Sequence, residues 1–273
     1  MIISGRDIAA QLHAQMRQQV DNLAVECGRA PGLTILQVGD DPASTIYVRN
    51  KLRAATNCHI DARLIHLPAD ISEQELCDKI ATLNSDDQVD GILVQLPLPA
   101  PINEQRVIRA ILPEKDADGF HPDGHMIACT SKGILALLAS TGVDLRGKHV
   151  VMVGDTDVVG SSMAKLLTDR QCTVAVAQTD TPDLPSVCRR ADILIAAVDS
   201  PRFITPDHIR QGAIVIDAGC HHMADGTVTG DVDFEACKDR ASFITPVPGG
   251  VGVMIVAMLM QNTIECFLRR IGK

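Results

Sequence analysis

Apolar positions along the chain recur with two periods, and the alternation between them sets out the elements. Ile8, Leu12, Met16, Val20 and Leu23 fall at three- and four-residue spacing, which predicts a helix over 6–27. The run Leu33 to Gly39 is apolar, short and ends in a turn, as a buried strand does. A second helix is predicted over 44–57, opened by the turn Asp40-Asp41-Pro42-Ala43. A strand over 60–67, a helix over 71–84 and a strand over 91–95 repeat the unit. Strands that are apolar on both faces and separated by helices imply a parallel sheet covered on both sides.

A loop through Asp116-Ala117-Asp118-Gly119-Phe120-His121 and a helix over 132–140 lead into a second series. It reads strand 149–153, helix 159–170, strand 173–176, helix 182–189, strand 193–197, a short helix near 206–211 and strand 213–217. This series has the length of one doubly wound dinucleotide-binding sheet. The apolar helix over 251–270 is long enough to return to the first half. The expected fold is therefore α/β, with two α/β domains around a cleft, the second a Rossmann-like doubly wound parallel sheet. Residues 1–140, completed by the C-terminal helix at about 251–273, would form a catalytic domain and 141–250 the dinucleotide-binding domain. Clefts of this kind hold small ligands.

Composition narrows the partners. Thirty-four acidic against twenty-five basic residues give a net charge of −9, which argues against nucleic acid and anionic membranes. With no Trp, one Tyr and five Phe, the chain lacks the stacking platforms of single-strand binders. Met1 to Asp7 lacks the basic start and apolar run of a signal peptide, and no stretch reaches the ~18 uncharged apolar residues of a spanning helix. The nine cysteines are scattered and contain no C-x-x-C pair, so a cytoplasmic protein with reduced thiols is expected. Cys220-His221-His222 is too small a cluster for a metal site, and none is expected.

Candidate chemistry lies in two regions. In Ser44-Thr45-Ile46-Tyr47-Val48-Arg49-Asn50-Lys51, Tyr47 and Lys51 share one helix face, with Ser44 a turn earlier. A phenol beside an amine can orient it, and a lysine in an apolar cleft can serve as a general base; a plain surface pair has the same spacing. Gln95 ends an apolar strand, where an amide is met either by backbone or by a ligand. The turn holding Asp116 and Asp118 offers carboxylates to a polar heterocycle, and the loop Thr245-Pro246-Val247-Pro248-Gly249-Gly250 allows close approach of backbone to a flat ligand.

The second region is the turn Gly154-Asp155-Thr156-Asp157-Val158-Val159-Gly160, between a strand and a helix. That context suits a pyrophosphate at helix N-terminal amides, although its spacing departs from G-x-G-x-x-G and a tight turn alone would also need the glycines. Thr179 and Asp180 end the next strand, where an acid can hold the adenosine ribose hydroxyls. Asp155 and Asp180 would repel a 2′-phosphate, so NAD is favoured over NADP.

Taken in order, the Tyr47-to-Lys51 helix, Asp90 to Pro99, Lys115 to Pro122, Gly154 to Gly160, Gly230-Asp231-Val232-Asp233-Phe234 and Pro246 to Gly252 resemble the bifunctional methylenetetrahydrofolate dehydrogenase/methenyltetrahydrofolate cyclohydrolase family over essentially the whole chain. The resemblance implies a multifunctional enzyme of one-carbon metabolism. It would oxidise 5,10-methylenetetrahydrofolate with NADP or NAD and hydrolyse the methenyl product to 10-formyltetrahydrofolate. Lys51 would be the central catalytic group and Gln95 would tune it. Tyr47 would stack on or order the pterin, and Asp118 would hydrogen-bond it. Ser44, Pro248, Gly249 and Gly250 would complete the folate site, and Gly154, Asp155, Thr156, Gly160, Thr179, Asp180 and Cys220 the cofactor site. The family also implies a homodimer.

The chain departs from the family mostly on the cofactor side. Gly154-Asp155-Thr156 stands for the usual Gly-Arg-Ser, Thr179-Asp180 for a small polar residue followed by a base, and Cys220 for an apolar residue. The loop from Pro122 to Cys129 is shortened, Thr130-Ser131 replaces Thr-Pro, and Val253 and Ile255 replace Pro and Thr. Two alternatives follow: a folate-binding paralogue with cyclohydrolase activity only or no turnover, and a two-domain dehydrogenase of the shikimate or amino-acid type.

Overall fold

The computed structural model describes residues 1–154 and 160–273, except for the side chain of Ser161. The first half runs α1 (Gly5–Cys27), β1 (Gly32–Val38), α2 (Pro42–Asn57), β2 (Asp61–Leu67), α3 (Glu73–Asn84), β3 (Gly91–Val94) and α4 (Glu104–Ala110). The second half begins with α5 (Cys129–Ser140), β4 (His149–Val153), α6 (Ser161–Asp169), β5 (Thr173–Ala177), α7 (Leu184–Cys188) and β6 (Ile193–Ala196). A single 3-10 turn at Pro206–His208 precedes β7 (Ile214–Asp217), the hairpin β8 (His221–His222) and β9 (Val228–Thr229), α8 (Phe234–Cys237), β10 (Phe243–Ile244) and α9 (Val251–Arg270).

The chain divides into two compact units. Ala10–Cys129 with Val256–Lys273 forms the first, and Met1–Ala9 with Thr130–Ile255 forms the second. Periodicity alone leaves the first nine residues and 130–140 with the first half. The backbone decides otherwise, because Ile3 N–H donates to Ile244 O and Ile244 N–H to Met1 O, adding the N-terminal segment to β10.

In the first unit three parallel strands lie in the order β2-β1-β3. Central β1 is buried at all seven positions, whereas edge strand β2 alternates between exposed and half-buried. Leu36, Val38, Ile92 and Val94 pack with Leu76 and Ile80 of α3 and Val107 of α4. Burying each such side chain contributes roughly 1.5–3 kcal/mol. Ser72 caps α3 through a reciprocal capping box with Glu75, which starts the helix two residues later than the apolar pattern indicates.

The C-terminal helix α9 is apolar nearly all round because it is a core element. It is long and apolar enough to cross a membrane, yet 61% of its most apolar window is buried within the fold. Its Asn262 side-chain amide donates to the Ala117 and Ile127 carbonyls, both at 3.0 Å. At its end Arg270 donates to the buried Asp90 carboxylate at 2.8 Å, which also accepts from Arg29 and from the Gly32 N–H.

In the second unit five parallel strands run β10-β7-β6-β4-β5. From β4 the chain moves one way to β5 and then back past β4 to β6. Right-handed crossovers in opposite directions put α6 and α7 on opposite faces, which is a doubly wound sheet. Its switch point lies between β4 and β6. All four β6 residues are buried, and Val151, Val153, Leu194, Val215 and Ile244 build one core. The elements α4, α8, β8, β9 and β10 lie outside the expected series, and the expected helix at 206–211 shortens to one turn.

Candidate active site

The first unit gathers its polar groups at the carboxyl end of its sheet. Asp41 caps α2, accepting the Ser44 N–H at 2.7 Å, and that hydrogen bond holds its carboxyl below the usual range. Pro42 occupies the first turn, where its missing N–H costs nothing. Ser44 is buried by this cap. One turn on, Tyr47 is 38% exposed, and one turn further Lys51 is only 8% exposed. Burial of a lysine demands a partner. Lys51 Nζ donates to Gln95 Oε1 at 2.9 Å.

Gln95 follows β3, its backbone N–H donating to Leu36 O at 2.8 Å. The residue is half-buried rather than enclosed, and both ends of its amide are used. The oxygen takes Lys51 and the Nε2 donates to Leu96 O at 2.6 Å. The amide is thereby fixed with its acceptor toward the amine.

Asp118 enters from the segment beside β3, where Ile92 pairs with Asp116. Burial pushes the Asp118 carboxyl up, the positive charge of Lys51 acts in the opposite direction, and the neighbouring Asp116 adds to the rise. The geometry of the turn comes from Asp116, a residue whose role spacing does not announce. Its carboxylate accepts the N–H groups of Asp118 (3.2 Å), Gly119 (3.0 Å) and His121 (2.6 Å). Gly119 has a φ of 81°, and a Cβ there would press on the Ala128 backbone. Cys129 N–H closes the shortened loop on Asp118 O at 3.0 Å. A hollow with room for about one water lies beneath, lined by Leu96, Ile108, Asp116, Asp118 and Phe120.

The remaining expected folate residues lie in the second unit. Pro248 follows a cis peptide, Gly249 has a φ of 114°, and Gly249 and Gly250 pack against Arg6 and Gly5. Of the cofactor residues, Gly154 ends β4 with a φ of 101°, and a Cβ there would run into the Ala197 carbonyl. Gly160 precedes α6 and is buried. Thr179 and Asp180 are exposed in a turn after β5, closed by Thr181 N–H donating to Gln178 O. Cys220 is exposed, and none of the nine cysteines is in a disulfide. Asp155 and Thr156 lie outside the described residues. Gly154 lets the backbone after β4 pass against that after β6 at the switch point, the place where open α/β sheets receive such ligands.

Comparison with known proteins places a family boundary between residues 118 and 128, while the structure exchanges the two ends of the chain between its units. Residues 3–118 match the family model "Tetrahydrofolate dehydrogenase/cyclohydrolase, catalytic domain", and residues 128–271 match the NAD(P)-binding domain of the same family. The bifunctional protein FolD of Geobacillus thermodenitrificans is 48% identical over 97% of this chain and 96% of that protein. Among solved structures, the methylenetetrahydrofolate dehydrogenase/cyclohydrolase of Campylobacter jejuni superposes with a TM-score of 0.96 at 37% identity, covering 99% of each chain. The Trypanosoma brucei enzyme complexed with NADP and inhibitor gives 0.95 at 34% identity, covering 100% of this chain and 99% of that one.

Proposed function

The chain belongs to the tetrahydrofolate dehydrogenase/cyclohydrolase family, and from that premise we propose how its residues share two reactions. The activity is oxidation of 5,10-methylenetetrahydrofolate to the methenyl form and hydrolysis to 10-formyltetrahydrofolate. Neither the binding-only paralogue nor the shikimate-type dehydrogenase finds support.

The pair Lys51–Gln95 carries the hydrolytic reading. Water adding to the methenyl carbon must lose a proton and the opening amine must gain one; the uncharged form of Lys51 would take the first from the water and return it to the amine. Gln95 Oε1 holds Nζ in line, so part of the orientation is arranged before substrate arrives. Asp118 offers its carboxyl to the N–H edge of the pterin, and Tyr47 lies against the ring. Ser44 and the Pro248-Gly249-Gly250 loop complete the folate contacts by resemblance to the family.

By resemblance to the family, Gly154, Gly160, Thr179, Asp180 and Cys220 would hold the dinucleotide, together with Asp155 and Thr156. When bound, it supplies the acceptor for the hydride. The acidic Asp155 and Asp180 favour NAD over NADP. A homodimer in the cytoplasm completes the reading.

The decisive experiment follows methenyltetrahydrofolate loss in wild type and Lys51→Met. A fall of at least about a hundredfold is expected for loss of a general base, and equal rates remove Lys51 from the mechanism. Titration with both dinucleotides tests the cofactor, and a wild-type preference for NADP sinks the electrostatic argument.

A further inference from the structure

Among the described residues the second unit holds two buried carboxylates outside the folate chemistry, Asp217 and Asp231. They are 2% and 0% exposed. Buried carboxylates persist only where hydrogen bonds compensate their lost hydration. Asp217, at the end of β7, accepts the N–H groups of Gly219, Asp231 and Val232 at 3.0, 3.0 and 2.9 Å. It thus folds the segment carrying the hairpin β8–β9 back onto the sheet. Gly219 and Gly230 pass so close that a Cβ on either would overlap a carboxylate.

Asp231 acts in the other direction. One oxygen accepts the Val198 N–H at 2.7 Å, and the other accepts the Ser200 N–H at 3.2 Å and lies 2.7 Å from His221 Nε2. The residue between those two amides, Asp199, has a φ of 53°, a left-handed conformation that disfavours a side chain. A strained residue persists when its surroundings over-determine it. Here the surroundings are one carboxylate gripping the amides on both sides.

The location gives this grip a consequence. Residues 197–200 follow β6, and Gly154 follows β4, so together they flank the topological switch point. The Ala197 carbonyl is the group that excludes a Cβ at Gly154. In open α/β sheets the crevice at that point receives the ligand.

We propose that Asp231, steadied by His221, is a positioning residue for the dinucleotide, holding residues 197–200 as one lip of its crevice. This rests on the dinucleotide-binding reading above. It makes the 219–231 segment part of cofactor affinity without touching the cofactor. His221 serves as the third partner of the carboxylate, supplying an N–H that neither backbone amide provides.

The test measures dehydrogenase kinetics with both NAD and NADP, alongside calorimetric binding of each dinucleotide alone. Asp231→Ala frees both amides and the strained turn. Its KM for the preferred dinucleotide is expected to rise roughly tenfold, about 1.4 kcal/mol, with kcat at saturation and the folate KM within about twofold of wild type. Adding Asp199→Gly, which tolerates the left-handed turn without a brace, is expected to return part of that loss. His221→Gln keeps an N–H donor and is expected to bind like wild type, while His221→Leu binds several-fold more weakly. Dinucleotide KM and binding in Asp231→Ala equal to wild type overturn the proposal. Should Asp231→Ala fail to fold, the His221 pair decides, and equal affinities for Gln and Leu overturn it. A wrong choice of dinucleotide shows instead in wild type, as a preference for NADP.

Discussion

Asp217 makes a strong prediction about how stability depends on pH. Burial pushes its carboxyl up to about 7 from an ordinary value of 3.8, against the pull of three backbone N–H donors, and the adjacent Asp231 charge adds to the rise. Between those two values the folded protein keeps a proton that the unfolded chain releases. Stability therefore falls as pH rises from about 4 to 7 and is level in this respect above that range. Each unit of difference is 1.36 kcal/mol, so the group removes about 4 kcal/mol across the interval. Asp217→Asn is neutral throughout and abolishes this contribution. Urea unfolding followed by far-ultraviolet circular dichroism at pH 5, 6, 7 and 8 isolates the effect as wild type minus variant. The difference should drop by about 1 kcal/mol per unit between pH 5 and 7 and flatten above. A difference constant to within about 0.5 kcal/mol over the whole range refutes the reasoning.

Three further predictions concern single side chains. Among the described residues Ser131 Oγ is buried with no hydrogen-bond partner, so Ser131→Ala should stabilise by about 1 kcal/mol and raise Tm by ~2–4 °C, and a lower Tm contradicts it. Asp90→Asn removes the charge that compensates Arg29 and Arg270 and should cost about 3 kcal/mol, read as a Tm lower by ~6 °C or more; a change under ~2 °C contradicts it. Asp116→Asn keeps one acceptor oxygen for three N–H groups, so the turn carrying Asp118 should loosen and the folate KM rise about tenfold, with an unchanged KM ruling this out.

The long elements were legible because each spans enough residues to display a period. α1 and β4 follow the apolar pattern nearly residue for residue. α8, β8, β9 and β10 have four residues or fewer, too few for any period, and are set by partners distant in sequence, as β10 is by β7. The capped starts of α2 and α3 were offset because the helix begins where a side-chain oxygen meets an orphan N–H, not where apolar residues begin. In the site, the Tyr47-to-Lys51 spacing was visible, and Gln95 stood out as an amide in an apolar run. Their meeting follows from topology: α2 leaves the carboxyl end of β1, and Gln95 leaves that of neighbouring β3. Asp116, Asp217 and Asp231 escaped notice as supports because their partners are backbone amides, which every residue carries and no spacing marks.

The route of the chain through the two sheets has a consequence for synthesis. Strand β10 of the second unit is extended by residues 1–3, made before any of the first unit, and the first unit is closed by α9, made after β10. A ribosome therefore cannot deliver either unit complete and then begin the other. The first residues wait for Ile244 before they find hydrogen-bond partners, and Asp90 waits for Arg270. A single cut near 129/130 leaves each fragment without its closing piece, so the two activities should not be recoverable as independently expressed halves.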